Sequence, residues 1–136
     1  MRVVRGGVAF LGVIETALGL WTLLLPRSFY DIVPGVNVLP FNEHLMKDYG
    51  AMNLALALVT WVAFVRFDVL MARLALGAYL VFAVPHLIYH QTHLDGLTPG
   101  EALFNVIALW VAVLLPAMLL VLTRQVAKSS VSPPSV

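Results

Sequence analysis

The stretch GGVAFLGVIETALGLWTLLL, residues 6–25, carries one charge, Glu15, and stops at Pro26. A helix rises about 1.5 Å per residue, and about 20 largely apolar residues are needed to cross a hydrocarbon layer about 30 Å thick. This stretch therefore reads as a membrane span. Three further stretches have the same character: residues 46–65, with Lys47 and Asp48 in the first turn, residues 69–90, with Arg73 as an early charge, and residues 101–123, uncharged after Glu101. The chain reads as all-α, an integral membrane four-helix transmembrane bundle over residues 1–126, followed by AKSSVSPPSV (127–136), whose composition predicts a disordered tail.

Composition supports this. Of 136 residues, 61% are hydrophobic and 11% charged, whereas about a quarter of an ordinary soluble domain is charged. One compact unit fits this length, with no separate soluble catalytic domain. A formal charge of +1 without a basic block argues against nucleic acid as a partner. The absence of cysteine excludes disulfides, thiolate-bound zinc and iron–sulfur clusters, so a metal or haem would rely on His, carboxylate or Met. No nucleotide-binding or nucleophile-elbow motif occurs. The basic MRVVR start precedes an apolar run that is long for a signal peptide and lacks a small-x-small cleavage site, so it reads as an uncleaved first span.

Four spans place both termini on one side. Arg2, Arg5, Arg66, Arg73, Arg124 and Lys128 fall on that side, against Arg27 and Lys47 on the other. The positive-inside rule makes the terminal side cytoplasmic, in a multi-pass membrane protein. Asn42 is an N-cap candidate for the second span. Thr98-Pro99-Gly100-Glu101 fits a capping box with Pro at the first helical position. Pro85 and Pro116 lie inside spans and predict kinks. Residues 26–41 read as an interfacial segment or as a lid folded over the bundle mouth, and Trp21 and Trp61 as interfacial anchors. No internal repeat is visible.

The polar residues inside the spans need an explanation. A carboxylate in mid-span costs about 2.5–3.5 kcal/mol on insertion scales, so Glu15 must face the bundle interior. Helical spacing puts Gly12, Glu15, Thr16, Gly19 and Thr22 on one face, where small residues allow close helix approach. Asp48, Tyr49 and Asn53 on the second span and Asn105 on the fourth lie on the far side of the bilayer midpoint. They are candidates, with Glu15 and His86, to line an outer-half polar pocket. A hydrogen-bonded network joining Glu15, Asn53 and Asn105 would make Glu15→Leu destabilising. His86, His90 and His93 recur at i, i+4 and i+7, which aligns them along one helical face. His86 and His90 are candidate ligands for a divalent metal or haem, with His44 a further candidate and His93 falling past the helix end.

The first span with its embedded acid (Glu15-Thr16-Ala17-Leu18-Gly19-Leu20), the Pro-terminated end, the short surface segment and a second span opening Lys47-Asp48-Tyr49-Gly50 together resemble the DoxX-like group of small bacterial four-helix membrane proteins. The resemblance implies an integral membrane protein and, in some relatives, a quinone-linked or membrane oxidoreductase subunit. The histidine-rich end of the third span is not part of that pattern.

Three functional readings follow. The preferred one is a non-enzymatic binding or accessory subunit whose outer-half pocket takes an apolar ligand, a quinone or lipid-like molecule, with a membrane protein partner or a second copy beside it in the bilayer. A second is a haem- or metal-binding redox subunit using His86 and His90. A third is a transporter protomer that works only as an oligomer. For the topology, reporter fusions should place Val136 in the cytoplasm; an outside signal from that fusion would overturn the orientation.

Overall fold

The computed structural model describes residues 2–129, and within them the protein is all-helical. Five helices follow in order: α1 (Arg2–Leu24), α2 (Pro26–Ile32), α3 (Glu43–Val65), α4 (Val69–Thr92) and α5 (Pro99–Ser129). α1, α3, α4 and α5 are long and apolar enough to cross a membrane. α5 continues through Ser129, past the expected start of the tail at 127, while residues 130–136 lie outside the described residues.

Local chemistry sets the helix ends. The Asn42 side chain accepts from the Leu45 amide at 3.1 Å, and Asp68 does the same for Met71 at 2.8 Å. At α5 the capping box closes in both directions: the Thr98 amide donates to Glu101 Oε2 at 2.9 Å, and the Glu101 amide to Thr98 Oγ1 at 3.4 Å. α4 and α5 run as single helices through Pro85 and Pro116.

The segment after Pro26 is a short helix where the sequence suggested only an interfacial stretch. Proline ends α1, and its preset φ also suits the first position of a new helix, so one residue does both. α2 buries Phe29 edge-on against Trp21, with ring centroids 5.3 Å apart, and Trp21 Nε1 donates to Ser28 Oγ at 3.2 Å.

α1 and α3 form the closest pair. Antiparallel packing sets Gly19 against Gly50 and Gly12 against Thr60 and Trp61. A Cβ on Gly50 would stand 2.6 Å from Thr22 Oγ1 and 2.9 Å from the Gly19 carbonyl, so the two backbones pass with no side chain between them. Trp61 belongs to this seam: its Nε1 donates to Thr16 Oγ1 at 3.0 Å. α4 and α5 form the second antiparallel pair, joined where Arg73 Nε donates to Thr123 Oγ1 at 2.9 Å. The apolar core, including Val4, Val8, Ala63, Leu76 and Leu119, fills the half of the bundle that holds the termini. The far half is closed differently, by the connection between α2 and α3. There Gly35, at φ +85°, turns the chain so that a Cβ on it would lie 2.5 Å from Asn105 Nδ2, while Gly96 is 4.0 Å, measured the same way, from a Val38 methyl. Residues 33–41 thus reach across to α5, as the lid alternative required.

The α1–α3 contact predicts an asymmetry among glycines. Gly50→Ala overpacks the seam and should cost about 1–3 kcal/mol. Gly77→Ala meets nothing within 4 Å and should stabilise the helix by about 0.5–1 kcal/mol. Thermal unfolding in detergent compares the two directly.

Candidate functional site

Glu15 sits in the α1–α3 seam at 1% exposure, on the same buried stripe as Gly12, Gly19 and Thr22. Its interior position follows from the helical spacing. Its bonding does not: neither carboxyl oxygen has a hydrogen-bond partner, although Thr60 lies beside it. The expected network does not form among the described residues: the two Glu15 carboxyl oxygens and Asn105 Oδ1 all lack a hydrogen-bond partner. Asn53, 3% exposed, turns its Nδ2 back to the Tyr49 carbonyl of its own helix at 2.8 Å. Asn105 lies under the Gly35 turn.

Asp48 does not line an interior pocket. It lies two residues from Gly50, about 200° round the helix at 3.6 residues per turn. With the Gly50–Asn53–Ala57 face turned to α1, Asp48 faces outward and meets His44 Nδ1 at 3.3 Å. Tyr49 and His86 do meet, within an aromatic column in the far half. Tyr49 lies against Phe29 (5.9 Å) and His86 (6.1 Å), and His86 stacks on Phe82 (5.0 Å). His90 joins edge-on, 4.5 Å from His86. His93 caps the end of α4, and its ring folds back on Tyr89 at 4.2 Å. Among the described residues no three His, Asp or Glu side chains gather as a metal site. The His86–His90 pair therefore lacks the third protein ligand that zinc sites ordinarily have.

One hollow is lined by Ile14, the sequence neighbour of the buried acid. A crevice of about 400 Å³ opens between α1 and α5, walled by Phe10, Leu11, Ile14, Phe104, Ile107, Ala108, Val111, Ala112 and Leu115, with Tyr79 of α4 among its lining residues. Tyr79 is otherwise buried, and it lies within electrostatic reach of Glu15. Pro116 lies in α5 one turn beyond Ala112 of the crevice wall. Lacking an N–H, it leaves the Ala112 carbonyl without its helical donor, and Ala112 stands in the crevice wall. The crevice lies at mid-depth, where α1 residues 10–14 pass α5 residues 104–115, and its walls are almost wholly apolar. This is deeper than the outer-half pocket anticipated from the polar residues. Tyr79 escaped the sequence reading because it stands alone among apolar neighbours; the proline four residues after Ala112 was the available signal for the free carbonyl.

Comparison with protein-family models, curated proteins and solved structures returned no match.

With no partner for its carboxyl, Glu15 destabilises the seam it occupies, which reverses the consequence expected from a network. Glu15→Leu should raise stability by about 1–3 kcal/mol, the desolvation cost of an unsatisfied buried group. Glu15→Gln, which keeps an orphaned amide, should gain less. Thermal unfolding in detergent decides the order, and a less stable leucine variant would reveal a bonded carboxyl.

Proposed function

We propose that this protein is a small bacterial inner-membrane binding or accessory subunit. Its ligand is an apolar molecule with one hydroxyl-type head, such as the quinol form of a quinone or a hydroxylated lipid, and it enters sideways from the bilayer between α1 and α5. The observation that carries this reading is the crevice itself: apolar walls with Tyr79 among them, Ala112 with its proline-freed carbonyl on the α5 side, and an unpartnered carboxyl within electrostatic reach of Tyr79. Sites for small ligands are commonly apolar hollows with a few converging polar groups. An alcohol suits this pair, since it donates to the carbonyl and exchanges a hydrogen bond with the phenol. The DoxX-like resemblance agrees with such a role, and the quinone link of some relatives with such a ligand. The haem or metal reading rests on the His86–His90 pair alone.

A long-chain alcohol bearing a diazirine, photolysed with the protein in lipid vesicles, tests this. Labelling should concentrate on residues 10–14 and 104–115 and fall on addition of excess unlabelled alcohol. Ala108→Trp, which fills the crevice, should reduce it several-fold, and Tyr79→Phe should weaken binding by about tenfold, as loss of one hydrogen bond of about 1.4 kcal/mol does. Labelling spread evenly over the lipid-facing positions, Val81 and Leu70 included, or unchanged by Ala108→Trp, would overturn the reading.

A further inference from the structure

Two other buried polar atoms have no hydrogen-bond partner, and they are of opposite type. Gln91 Nε2 on α4 is a donor and Asn105 Oδ1 on α5 an acceptor. Asn105 is only 8% exposed. The pair that joins α4 to α5 at the terminal end fixes how these two are related. Arg73 bonds Thr123 across the antiparallel seam; Gln91 lies 18 residues after Arg73, and Asn105 lies 18 residues before Thr123. At 3.6 residues per turn, 18 residues are about five full turns, or about 27 Å of rise. Gln91 therefore returns to the side of α4 that holds Arg73, Asn105 returns to the side of α5 that holds Thr123, and both reach the same level at the far end of the seam. Ideal helix geometry thus sets an orphaned donor and an orphaned acceptor on facing sides of the seam, with no hydrogen bond between them.

We propose that the Gln91–Asn105 pair is a binding site for the hydroxyl of a neutral glycerolipid headgroup, held beneath the loop of residues 33–41. A hydroxyl is the group that accepts from Gln91 and donates to Asn105 with one oxygen. The depth fits a headgroup, because Asn105 lies six residues, about 9 Å, along α5 from Pro99. The Gly35 turn covers Asn105, and Val38 lies by Gly96, so the loop lies across this end of the α4–α5 hairpin. On the bilayer flank, Ile88, three residues before Gln91, is exposed at 59%, which suits an acyl chain. Asp95 and Glu101 at the same end of the hairpin disfavour an anionic headgroup and select a neutral one. This site is separate from the α1–α5 crevice and does not depend on it.

The test is thermal unfolding of the purified full chain in detergent, titrated with 1-monooleoylglycerol, with methyl oleate, which has the same chain and no hydroxyl, and with glycerol alone. The monoacylglycerol should raise Tm with the logarithm of its concentration, as a ligand of the folded state does, while methyl oleate and glycerol should not. The double variant Gln91→Leu/Asn105→Leu, which removes both orphaned groups, should fold and lose the response. Ala108→Trp, which blocks the crevice, should keep it, so failure here and failure of the crevice are told apart. An equal response to methyl oleate, a response to glycerol alone, a response retained by the double variant or lost in Ala108→Trp, or no response to any of the three would each overturn the assignment; the last outcome means that the pair holds water only.

Discussion

Everything in this bundle follows from how closely α1 and α3 pass. Gly12, Gly19 and Gly50 let two backbones touch, and in a bilayer such contact supplies the packing that the hydrophobic effect cannot. Glu15 is carried into the same seam by its place on the glycine stripe, beside Thr60. The result is a carboxyl at 1% exposure with no hydrogen-bond partner among the described residues. Evolution places such groups where a function offsets their cost, since leucine would fit the same helix without it.

The sequence showed the helices far better than it showed their neighbours. Span positions follow from hydropathy and length, and Asn42 and the Thr98–Glu101 box marked two helix starts that the structure bears out. Proline was harder to read: at Pro26 the stop signal concealed a start signal, so α2 was missed. Depth along a helix is legible from its rise, which is why Glu15, Asn53 and Asn105 looked able to meet. Direction around the helix decides contact, and the identity of the neighbouring helix decides direction. Asp48 failed on the first count, facing His44 instead of the interior. Asn53 failed on another: an amide that can bond its own helix backbone has no need of a partner across the seam.

The two halves of the bundle are built to different ends. Near the termini, Val, Ala and Leu side chains fill the core and Arg73 ties α4 to α5. Towards the far end the interior is aromatic and amide-rich, with the column through Phe29, Tyr49, Phe82 and His86 and with the Gly35 turn packed on Asn105. The α1–α5 crevice lies between these halves, on the far side of the level where Gly7 of α1 packs against Leu119 of α5. In the proposed account the stable half holds the helices apart at this position, and Tyr79 stands between the opening and the acid.

The central claim is that Glu15 is a dry carboxyl approached from the bilayer and not from water. Carbodiimide labelling measures this, because the reagent attacks carboxyl groups and can be chosen by its solubility. Protein in lipid vesicles, treated with dicyclohexylcarbodiimide or with a water-soluble carbodiimide and mapped by peptide mass spectrometry, should carry the adduct on Glu15 only with the hydrophobic reagent, at a rate reduced by filling the crevice. Equal modification of Glu15 by the water-soluble reagent, or none by either, would contradict the account.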